Sequence, residues 1–541
     1  MTRSGPLTTC DRLSADLVVV GSGAAGLTVA AEVAPRTVTL VTRSGLGQSS
    51  STGLAQGGVA VALDGADSPS RHADDTFAVG GGLNDPLAVE LLTTEGPRLL
   101  RRLLDQGARF ERSNEGTLAL SREAGHSRRR VVRAGGDATG AELVRLLVDV
   151  VRATPTVHAL THTQARGLLV DDAGRVRGIL VRTAQGRWVS CMGRAVVLAT
   201  GGIGGLYRYT TNPPDSTGDG LAMAAVAGAR LADLEFVQFH PTVLDVGTHP
   251  MPLLTEALRG EGAVIVDETG ARFLSGPTGE LAPRDVLARA VWRHREAGHE
   301  VLLDLRPISG VSRRFPTVHT ACHRHGLDPS SQPLPISPAA HYHMGGVAVD
   351  AYGQTSLPGL WACGEVACTG VHGANRLGSN SLLEALVFGS RLARDLADCE
   401  LPPPLVSGGA ELATSQGPVR PLGGARDRTS GSRGRACVVM RELRHIMWQR
   451  VGLLRDARGL AEADHRLGEL AEVAGSPESG PILVARLIAA AALARCESRG
   501  AHKRADHPGE DEAWQRRLYV TLAPTGQPRV VAGPRLEEMA A

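Results

Sequence analysis

The stretch Leu17-Val18-Val19-Val20-Gly21-Ser22-Gly23-Ala24-Ala25-Gly26 decides the fold of this chain. Its four leading apolar residues are typical of a short strand that is buried on both faces. Small residues from Leu27 to Ala34 then predict a helix, and Thr37 to Val41 predicts a second strand. This βαβ order predicts an α/β fold class with a Rossmann-like nucleotide-binding domain.

The glycines follow the G-x-G-x-x-G pattern of dinucleotide-binding turns. Gly21 permits the tight turn, Gly23 lets the backbone approach a pyrophosphate, and Gly26 lets the helix pack closely on the strand. The helix N-terminus offers free N–H groups to the phosphates. An acidic residue after the second strand would bind a ribose, but Arg43 stands there and suits a 2′-phosphate. The residues alone therefore leave NADP and FAD open.

Length and charge exclude several classes of protein. At about 150 residues per domain, 541 residues suggest three or four structural units. The chain carries 58 Lys and Arg against 56 Asp and Glu, so the formal net charge of +2 gives no electrostatic reason to bind nucleic acid or an anionic membrane. The eight cysteines are scattered, and no apolar run approaches the roughly 20 residues of a membrane span. We expect a cytoplasmic protein with no nucleic-acid or membrane partner.

Composition divides the chain into several predicted units. Two further strand-to-glycine elements, at 195–202 and 359–365, continue the nucleotide-binding domain, which we assign to 1–235 and 345–400. Residues 236–344 contain more His, Arg and Pro and predict an inserted domain. Residues 401–435 predict a linker because they are rich in Pro, Gly, Ser and Arg. Helical periodicity at 438–454 and 481–495 predicts a helical domain over 436–541. Within 345–400, Ser381 and Glu384 fit a capping box.

Several longer motifs resemble the succinate dehydrogenase/fumarate reductase flavoprotein family over nearly the whole chain. They are Gly21-Ser22-Gly23-Ala24-Ala25-Gly26, Ala55-Gln56-Gly57-Gly58, Ser216-Thr217-Gly218-Asp219-Gly220, Gln238-Phe239-His240-Pro241-Thr242 and Thr255-Glu256-Ala257-Leu258-Arg259-Gly260-Glu261-Gly262. The resemblance implies a discontinuous FAD-binding domain, an inserted α+β capping domain and a C-terminal helical bundle. It also implies FAD rather than NADP as the cofactor.

The resemblance further implies how FAD is held. Membrane-complex members attach flavin covalently through a histidine just before the Ala55 motif, whereas this chain has Ser51 there. Because serine cannot form that bond, we expect noncovalent FAD. The cofactor-binding residues implied by the family motifs are Gly21, Ser22, Gly23, Ala24, Ala25, Gly26, Arg43, Ser51, Thr52, Ala55, Gln56, Gly57, Gly58, Asp219, Glu365, Ser381 and Leu382.

The same family binds dicarboxylates, whose planar anionic groups match the fork of arginine. Arg284, His240 and His341 match its catalytic positions. Gln238, Thr255 and Arg376 match its substrate-binding positions. Glu123, in Ser121-Arg122-Glu123-Ala124-Gly125-His126-Ser127, matches a glutamate that recognises an ammonium group. Within the family the chain is therefore most similar to the branch that uses L-aspartate.

The implied reaction moves the Cα hydride of L-aspartate to flavin N5 and leaves iminoaspartate. Dioxygen then accepts the electrons and gives hydrogen peroxide, with fumarate as an alternative acceptor. The resemblance also implies that forming iminoaspartate is the first step of de novo NAD biosynthesis through quinolinate. It implies possible transient contact with quinolinate synthase. The alternatives are a soluble fumarate reductase or succinate-oxidising flavoprotein, an NADP dehydrogenase, and a flavin-binding assembly partner without activity. Glu123 argues against the first.

Simpler interpretations exist for some of these residues. Glu123 could pair with the nearby run Arg128-Arg129-Arg130, which by itself is typical of a solvated face. His343 follows two residues after His341, where the family more often has a small residue, so the resemblance leaves the detail of the pocket rim open. The sequence predicts no metal site, because the one histidine- and cysteine-rich cluster matches no usual zinc spacing. That cluster consists of His319, Cys322, His323 and His325.

Overall fold

A computed structural model describes residues 11–63, 65–276, 278–403, 430–474 and 476–535. The described residues form 21 strands: β1 (Asp11–Ser14), β2 (Leu17–Val20), β3 (Val38–Val41), β4 (Val59–Ala60), β5 (Leu120–Ser121), β6 (Val131–Val132), β7 (Val157–Leu160), β8 (Thr163–Val170), β9 (Val176–Thr183), β10 (Trp188–Met192), β11 (Ala195–Leu198), β12 (Leu231–Ala232), β13 (Val237–Leu244), β14 (Val264–Asp267), β15 (Val301–Asp304), β16 (Leu334–His343), β17 (Gly346–Ala348), β18 (Leu360–Ala362), β19 (Ala367–Cys368), β20 (Arg516–Leu522) and β21 (Pro528–Arg535). They also form 14 helices: α1 (Ala24–Glu32), α2 (Ser51–Leu54), α3 (Pro69–Val79), α4 (Pro86–Asp105), α5 (Thr139–Ala153), α6 (Asp219–Val226), α7 (Glu256–Gly260), α8 (Arg284–Glu296), α9 (Val311–Arg314), α10 (Pro316–Arg324), α11 (Asn380–Asp398), α12 (Ser430–Arg450), α13 (Ala457–Val473) and α14 (Ser476–Ala494).

A parallel five-stranded sheet in the order β18-β11-β2-β3-β7 organises the first half of the chain. Every residue of β2, β3 and β11 is buried, as the continuous apolar runs predict. The first helix begins at Ala24, three residues earlier than predicted, because Ala24 and Ala25 extend it up to the glycine turn. The predicted α/β class is confirmed. Because the strands are parallel, their carboxyl ends meet at one edge, where α/β proteins bind ligands.

A second unit lies within residues 237–343. Its antiparallel sheet has the order β13-β16-β15-β14, and α7, α8, α9 and α10 lie between its strands in the chain. It has an apolar core of its own that includes Leu258, Leu303, Phe315 and Ile336. The sheet places β13 and β16 beside each other, and both strands carry predicted site residues. We retain 236–344 as a proposed capping domain.

The C-terminal part contains α12, α13 and α14, followed by a β-hairpin that sequence patterns did not predict. Strands β20 and β21 pair with each other, and β20 also pairs with β12, so the hairpin extends the sheet β19-β17-β12-β20-β21. The predicted linker 401–435 falls mostly outside the described residues. Helix α12 begins at Ser430, within the last part of that segment. Among the described helices, none is both long and apolar enough to cross a membrane.

Candidate active site

A deep cavity opens at the carboxyl ends of β2, β3 and β11. Its empty volume is about 1610 Å³, part of it open to solvent. Among the predicted cofactor-binding residues, those that line it are Gly21, Ser22, Gly23, Ala24, Ala25, Arg43, Ser51, Thr52, Ala55, Asp219, Glu365, Ser381 and Leu382.

Four predicted cofactor residues, Gly26, Gln56, Gly57 and Gly58, are not among the lining residues. A Cβ at Gly26 would lie 2.0 Å from the carbonyl oxygen of Gly21, so this glycine serves the close packing of helix and turn. A Cβ at Gly58 would lie 2.3 Å from the carbonyl oxygen of Val132. These glycines therefore shape the backbone behind the cavity.

The glycine-rich turn places backbone N–H groups at the cavity. Gly21 has φ +113°, and a Cβ there would lie 2.1 Å from the carbonyl oxygen of Ala199. Gly23 is the N-cap of α1 and makes no side-chain cap hydrogen bond, while the Ala24 N–H donates to Thr52 Oγ1 at 3.1 Å. Because the other N–H groups of the first turn have no intrahelical acceptor, they suit a phosphate.

Arg43 already has anionic partners within the protein. Its guanidinium forms ion pairs with Asp219 and, at 3.4 Å, with Asp215. Its positive charge is thus balanced without a ligand 2′-phosphate. This arrangement removes the argument for NADP that rested on Arg43.

Hydroxyl groups complete the fit of the cavity to a flavin dinucleotide. Thr200 Oγ1 is buried, has no hydrogen-bond partner and belongs to a residue that lines the cavity. Ser51 also lines it, and its Oγ lies 3.5 Å from Asn212 Nδ2. Burial raises the pKa of Glu365 to about 7, so this carboxyl can donate as well as accept near neutral pH. The donor and acceptor groups present fit the many polar atoms of FAD.

Two arginines converge on one glutamine beside this cavity. Arg284 Nη1 and Arg376 Nε donate to Gln238 Oε1 at 3.1 and 3.3 Å. Gln238 Nε2 in turn donates to Asn375 Oδ1 at 2.9 Å and to the carbonyl oxygen of Arg376 at 2.8 Å. Burial, together with the charge of Arg284, lowers the pKa of Arg376 to about 10. Two neighbouring buried cations of this kind favour a dianionic ligand.

The two predicted histidines lie on paired strands. His240 is on β13, His341 is on β16, and their ring centroids are 5.1 Å apart. The register between these strands skips His341, which is therefore the extra residue of a β-bulge. Bulges commonly redirect a side chain next to an active site. His341 also lines the cavity, so the substrate side adjoins the predicted flavin side.

Both histidines are held neutral near neutral pH. Burial lowers the pKa of His240 well below its ordinary value, and the charge of Arg284 lowers it further. Burial lowers the pKa of His341 in the same way, together with Arg284 and Arg376. Nε2 of His240 is buried and has no hydrogen-bond partner among the residues that the structure describes, whereas Nδ1 of His341 lies 2.8 Å from Thr211 Oγ1. A bound anion would offset the effect of the arginine charges on the pKa values of both histidines.

Glu123 presents an unpaired carboxylate oxygen. Its Oε2 accepts from Ser379 Oγ at 2.8 Å, while Oε1 is buried and has no hydrogen-bond partner within the described part of the chain. Burial raises the pKa of Glu123, and the neighbouring charge of Glu256 raises it further. A buried oxygen without a partner is costly unless a ligand supplies a donor. An ammonium group would be such a donor.

Helix α7 contributes a residue that the sequence analysis did not single out. Glu256 Oε2 accepts from Nε and Nη2 of Arg284 at 2.8 and 2.6 Å, and its Oε1 lies 3.2 Å from Arg259 Nη2. Glu256 therefore fixes the guanidinium of Arg284. Thr255 is the N-cap of this helix, and its Oγ1 accepts from the Ala257 N–H at 3.4 Å.

The predicted capping box at Ser381 and Glu384 is wrong. Helix α11 begins at Asn380 without a side-chain cap hydrogen bond. Ser381 Oγ instead accepts from Arg376 Nη1 at 2.6 Å, and Glu384 Oε2 accepts from Tyr342 OH at 2.7 Å. The Arg376 guanidinium lies 4.6 Å from the centre of the Tyr342 ring. Ser381 therefore holds Arg376 directly, and Glu384 holds Tyr342, whose ring faces Arg376. Both side chains bind tertiary partners rather than the end of the helix.

The simple interpretation of the arginine run is also wrong, and His343 lies away from the cavity. Arg128 and Arg129 are exposed, but Arg130 is completely buried and pairs with Asp67 and Asp75 rather than with Glu123. His343 does not line the cavity; its Nε2 lies 3.0 Å from the carbonyl oxygen of Leu234, and it is 1% exposed. A run of three arginines does not show which side chain will be buried. His343 lies in a different environment from His341 because the β-bulge lies at His341.

Comparisons with known proteins agree with this geometry. The FAD binding domain family matches residues 16–382, and the C-terminal family of fumarate reductase flavoproteins matches residues 480–534. The L-aspartate oxidase of Caulobacter vibrioides is 47% identical over 515 residues, which cover 93% of this chain and 96% of that protein. The L-aspartate oxidase of Streptomyces coelicolor is 45% identical over 552 residues, covering 95% and 92%. The predicted FAD cofactor is confirmed.

Solved structures show the same architecture. A quinol fumarate reductase chain from E. coli superposes with a TM-score of 0.83 at 28% identity, covering 97% of both chains. A second quinol-fumarate reductase structure gives a TM-score of 0.82 at 29% identity, covering 97% of this chain and 98% of that one.

Proposed function

The chain belongs to the L-aspartate oxidase family, within the succinate dehydrogenase/fumarate reductase flavoproteins, and we propose that it oxidises L-aspartate to iminoaspartate. It is an FAD-dependent oxidoreductase. When bound, FAD supplies the acceptor for the Cα hydride and delivers the electrons to dioxygen, giving hydrogen peroxide, or to fumarate. The protein residues bind and orient the substrate.

Glu123 is the residue that distinguishes L-aspartate from other four-carbon diacids in this proposal. Arg284 and Arg376, together with the histidines, suit the two carboxylates of any four-carbon diacid. Glu123 Oε1 is a buried acceptor without a hydrogen-bond partner among the described residues, so it suits the ammonium of L-aspartate. Succinate and fumarate have no group for this oxygen. This one observation favours aspartate oxidation over succinate oxidation.

Arg376 and Arg284 take different tasks in this proposal. Arg376 binds a substrate carboxylate, since Tyr342 and Ser381 fix its guanidinium. Arg284 positions the substrate and stabilises charge, because a guanidinium remains protonated. In the reverse reduction of fumarate, Arg284 is the group that we assign to deliver the proton. Thr255, the N-cap of α7, supplies a hydroxyl beside the carboxylates.

The histidines act as neutral hydrogen-bond donors to carboxylate. His240 Nδ1 lies 3.1 Å from the carbonyl oxygen of Thr242 and 3.3 Å from its backbone nitrogen, and we assign the tautomer in which Nδ1 accepts from that N–H and Nε2 carries the proton. That Nε2–H is then available to the ligand. His341 acts from the opposite strand, at the boundary with the flavin cavity.

The cavity residues hold FAD without a covalent bond, because Ser51 replaces the histidine used for attachment elsewhere in the family. The first N–H groups of α11, at Ser381 and Leu382, are the donors that we assign to the negatively charged edge of the reduced cofactor. We place the reaction in the cytoplasm, as the first step of de novo NAD biosynthesis through quinolinate. Iminoaspartate would pass to quinolinate synthase through transient contact.

Peroxide release tests this function directly. The FAD-loaded protein is given L-aspartate, D-aspartate or succinate in air, and peroxide is measured. We expect release with L-aspartate alone, and anaerobic L-aspartate should bleach the flavin absorbance. Release with succinate but not with L-aspartate would favour the succinate-oxidising alternative. If neither L-aspartate nor succinate bleaches the flavin absorbance, the chain would be a flavin-binding protein without this activity.

A further inference from the structure

We infer that His126 is a positioning residue for substrate choice. It holds the loop at Gly378 and Ser379, which forms one wall of the ammonium pocket, against Glu123. The pocket thereby favours aminated over non-aminated dicarboxylates. This inference rests on the proposed function, since it concerns the pocket that we assign to the ammonium group. His126 is 5% exposed and touches neither the arginines nor the histidines of the carboxylate site in any hydrogen bond observed among the described residues.

One turn of the chain carries both His126 and Glu123. The His126 N–H donates to the carbonyl oxygen of Glu123 at 3.2 Å, and Gly125 between them has φ +81°. That left-handed conformation favours glycine and keeps the turn tight. The position of the His126 ring is therefore linked through a short backbone segment to the position of the Glu123 carboxylate.

The ring of His126 also reaches the opposite wall of the pocket. Its Nε2 lies 3.0 Å from the carbonyl oxygen of Gly378. A Cβ at Gly378 would lie 2.8 Å from Glu123 Oε2, 3.0 Å from Glu256 Oε2 and 3.4 Å from Arg284 Nη2, so this loop lies close to the Glu123 carboxylate and beside Arg284. The next residue, Ser379, donates its hydroxyl hydrogen to the same oxygen at 2.8 Å. His126 thus connects both sides of the acidic pocket.

A buried arginine fixes the tautomer of the ring. Arg130 Nη1 lies 3.2 Å from His126 Nδ1, and a guanidinium only donates, so Nδ1 accepts. Nε2 therefore carries the hydrogen that is donated to Gly378. Arg130 is itself held by Asp67, at 2.8 and 2.9 Å, and by Asp75. Burial lowers the pKa of His126 to about 4, which keeps the ring neutral under ordinary conditions.

The carboxylate clamp is held by different contacts. Arg284 is fixed by Glu256 and Gln238, and Arg376 is fixed by Gln238, Tyr342 and Ser381. None of these contacts passes through His126. Loss of the His126 hydrogen bond should therefore disturb the ammonium pocket more than the binding of carboxylates.

Two amide substitutions separate the two ring nitrogens. In His126→Gln the amide nitrogen takes the place of Nε2 and can still donate to Gly378, whereas in His126→Asn the shorter amide reaches only the place of Nδ1. We measure kcat and KM for L-aspartate oxidation and, with a reduced viologen dye, for fumarate reduction. Flavin content and thermal midpoint are measured on the same samples.

For His126→Asn we expect kcat/KM with L-aspartate to fall about 10- to 100-fold, mainly through KM, because small misplacements of binding groups have effects of this size. Fumarate reduction should stay within about threefold, and His126→Gln should stay within about threefold for both reactions. Equal losses for both substrates in His126→Asn, or equal damage in the two variants, would overturn the inference.

A second variant covers a failure of His126→Asn to fold. Ser379→Ala removes the hydrogen bond from the same loop to Glu123, together with the one that the Gly58 N–H donates to this hydroxyl, without changing the His126 ring. A selective loss of L-aspartate activity would support the inference, and an equal loss of both activities would overturn it. A wild-type protein that does not oxidise L-aspartate would overturn the proposed function and this inference together. A wild type that oxidises it, with unselective variants, would overturn this inference alone.

Discussion

Arg284 and Arg376 share a single acceptor atom, Oε1 of Gln238, at 3.1 and 3.3 Å. The two cations belong to distant segments: Arg284 begins α8, and Arg376 precedes α11. The shared acceptor offsets part of the repulsion between the two cations. Gln238 therefore sets the spacing of the two guanidinium groups before a dicarboxylate arrives.

Gln238→Leu should weaken binding of every dicarboxylate. Leucine fills much of the same volume but offers no acceptor to Arg284 or Arg376, and buried hydrogen bonds to charged groups contribute about 1.5–3 kcal/mol. We expect KM for both L-aspartate and fumarate to rise roughly 10- to 100-fold, as measured by steady-state kinetics. A change confined to one of the two substrates would contradict the shared role of Gln238.

Glu123→Gln should weaken the oxidation of L-aspartate selectively, whereas Gln238→Leu should weaken the binding of both substrates. The amide keeps the shape of the side chain but loses the negative charge that favours an ammonium ion. We expect L-aspartate oxidation to fall far more than fumarate reduction, by at least about tenfold in the ratio of their kcat/KM values. Equal loss of both activities would remove the role in ammonium recognition that we propose for Glu123.

The Tyr342 ring should matter more than its hydroxyl for holding Arg376. Tyr342→Phe keeps the aromatic face 4.6 Å from the guanidinium but loses the hydrogen bond to Glu384. Tyr342→Leu loses both, and a desolvated cation–π contact contributes about 2 kcal/mol. We therefore expect KM for L-aspartate to rise about tenfold or more in Tyr342→Leu and to rise much less in Tyr342→Phe. Similar KM values for the two variants would show that the ring face contributes little.

The sequence predicts the nucleotide-binding unit well because its signals are local. Gly21, Gly23 and Gly26 lie within six residues, and the strands on either side are continuous apolar runs. The α/β class, the FAD cofactor and the family are confirmed. The roles of individual site residues stay predictions, although the structure brings Arg284, Arg376, Gln238 and the two histidines together.

Other features depend on contacts between segments that lie far apart in the chain. Glu256 gains its role only when α7 packs beside Arg284, and Ser379 reaches Glu123 across 256 positions of sequence. Ser381 and Glu384 have the spacing of a capping box, yet both side chains point to tertiary partners instead. Local patterns cannot predict such choices, because the competing partners are fixed only when the fold has formed.

Buried neutral histidines should make the protein sensitive to acid. Burial lowers the pKa of His343 to about 4, whereas in the unfolded chain it titrates near its ordinary value of 6.5. Between these values the unfolded state binds more protons, so stability rises with pH there. The contribution is fully present above about pH 6.5 and is lost as the pH falls towards 4, which corresponds to about 3 kcal/mol for such a shift.

His343→Gln tests this linkage at one position. Glutamine can still donate to the Leu234 carbonyl but does not titrate, so the difference in unfolding free energy between pH 7 and pH 5 should shrink by about 2 kcal/mol. Guanidinium denaturation at both pH values measures it. His158→Gln is the matched control, because His158 is exposed on β7 and should leave the difference unchanged. If His343→Gln keeps the full wild-type difference, the imidazole takes up its proton equally well in the folded and unfolded states, and its burial does not govern the response to acid.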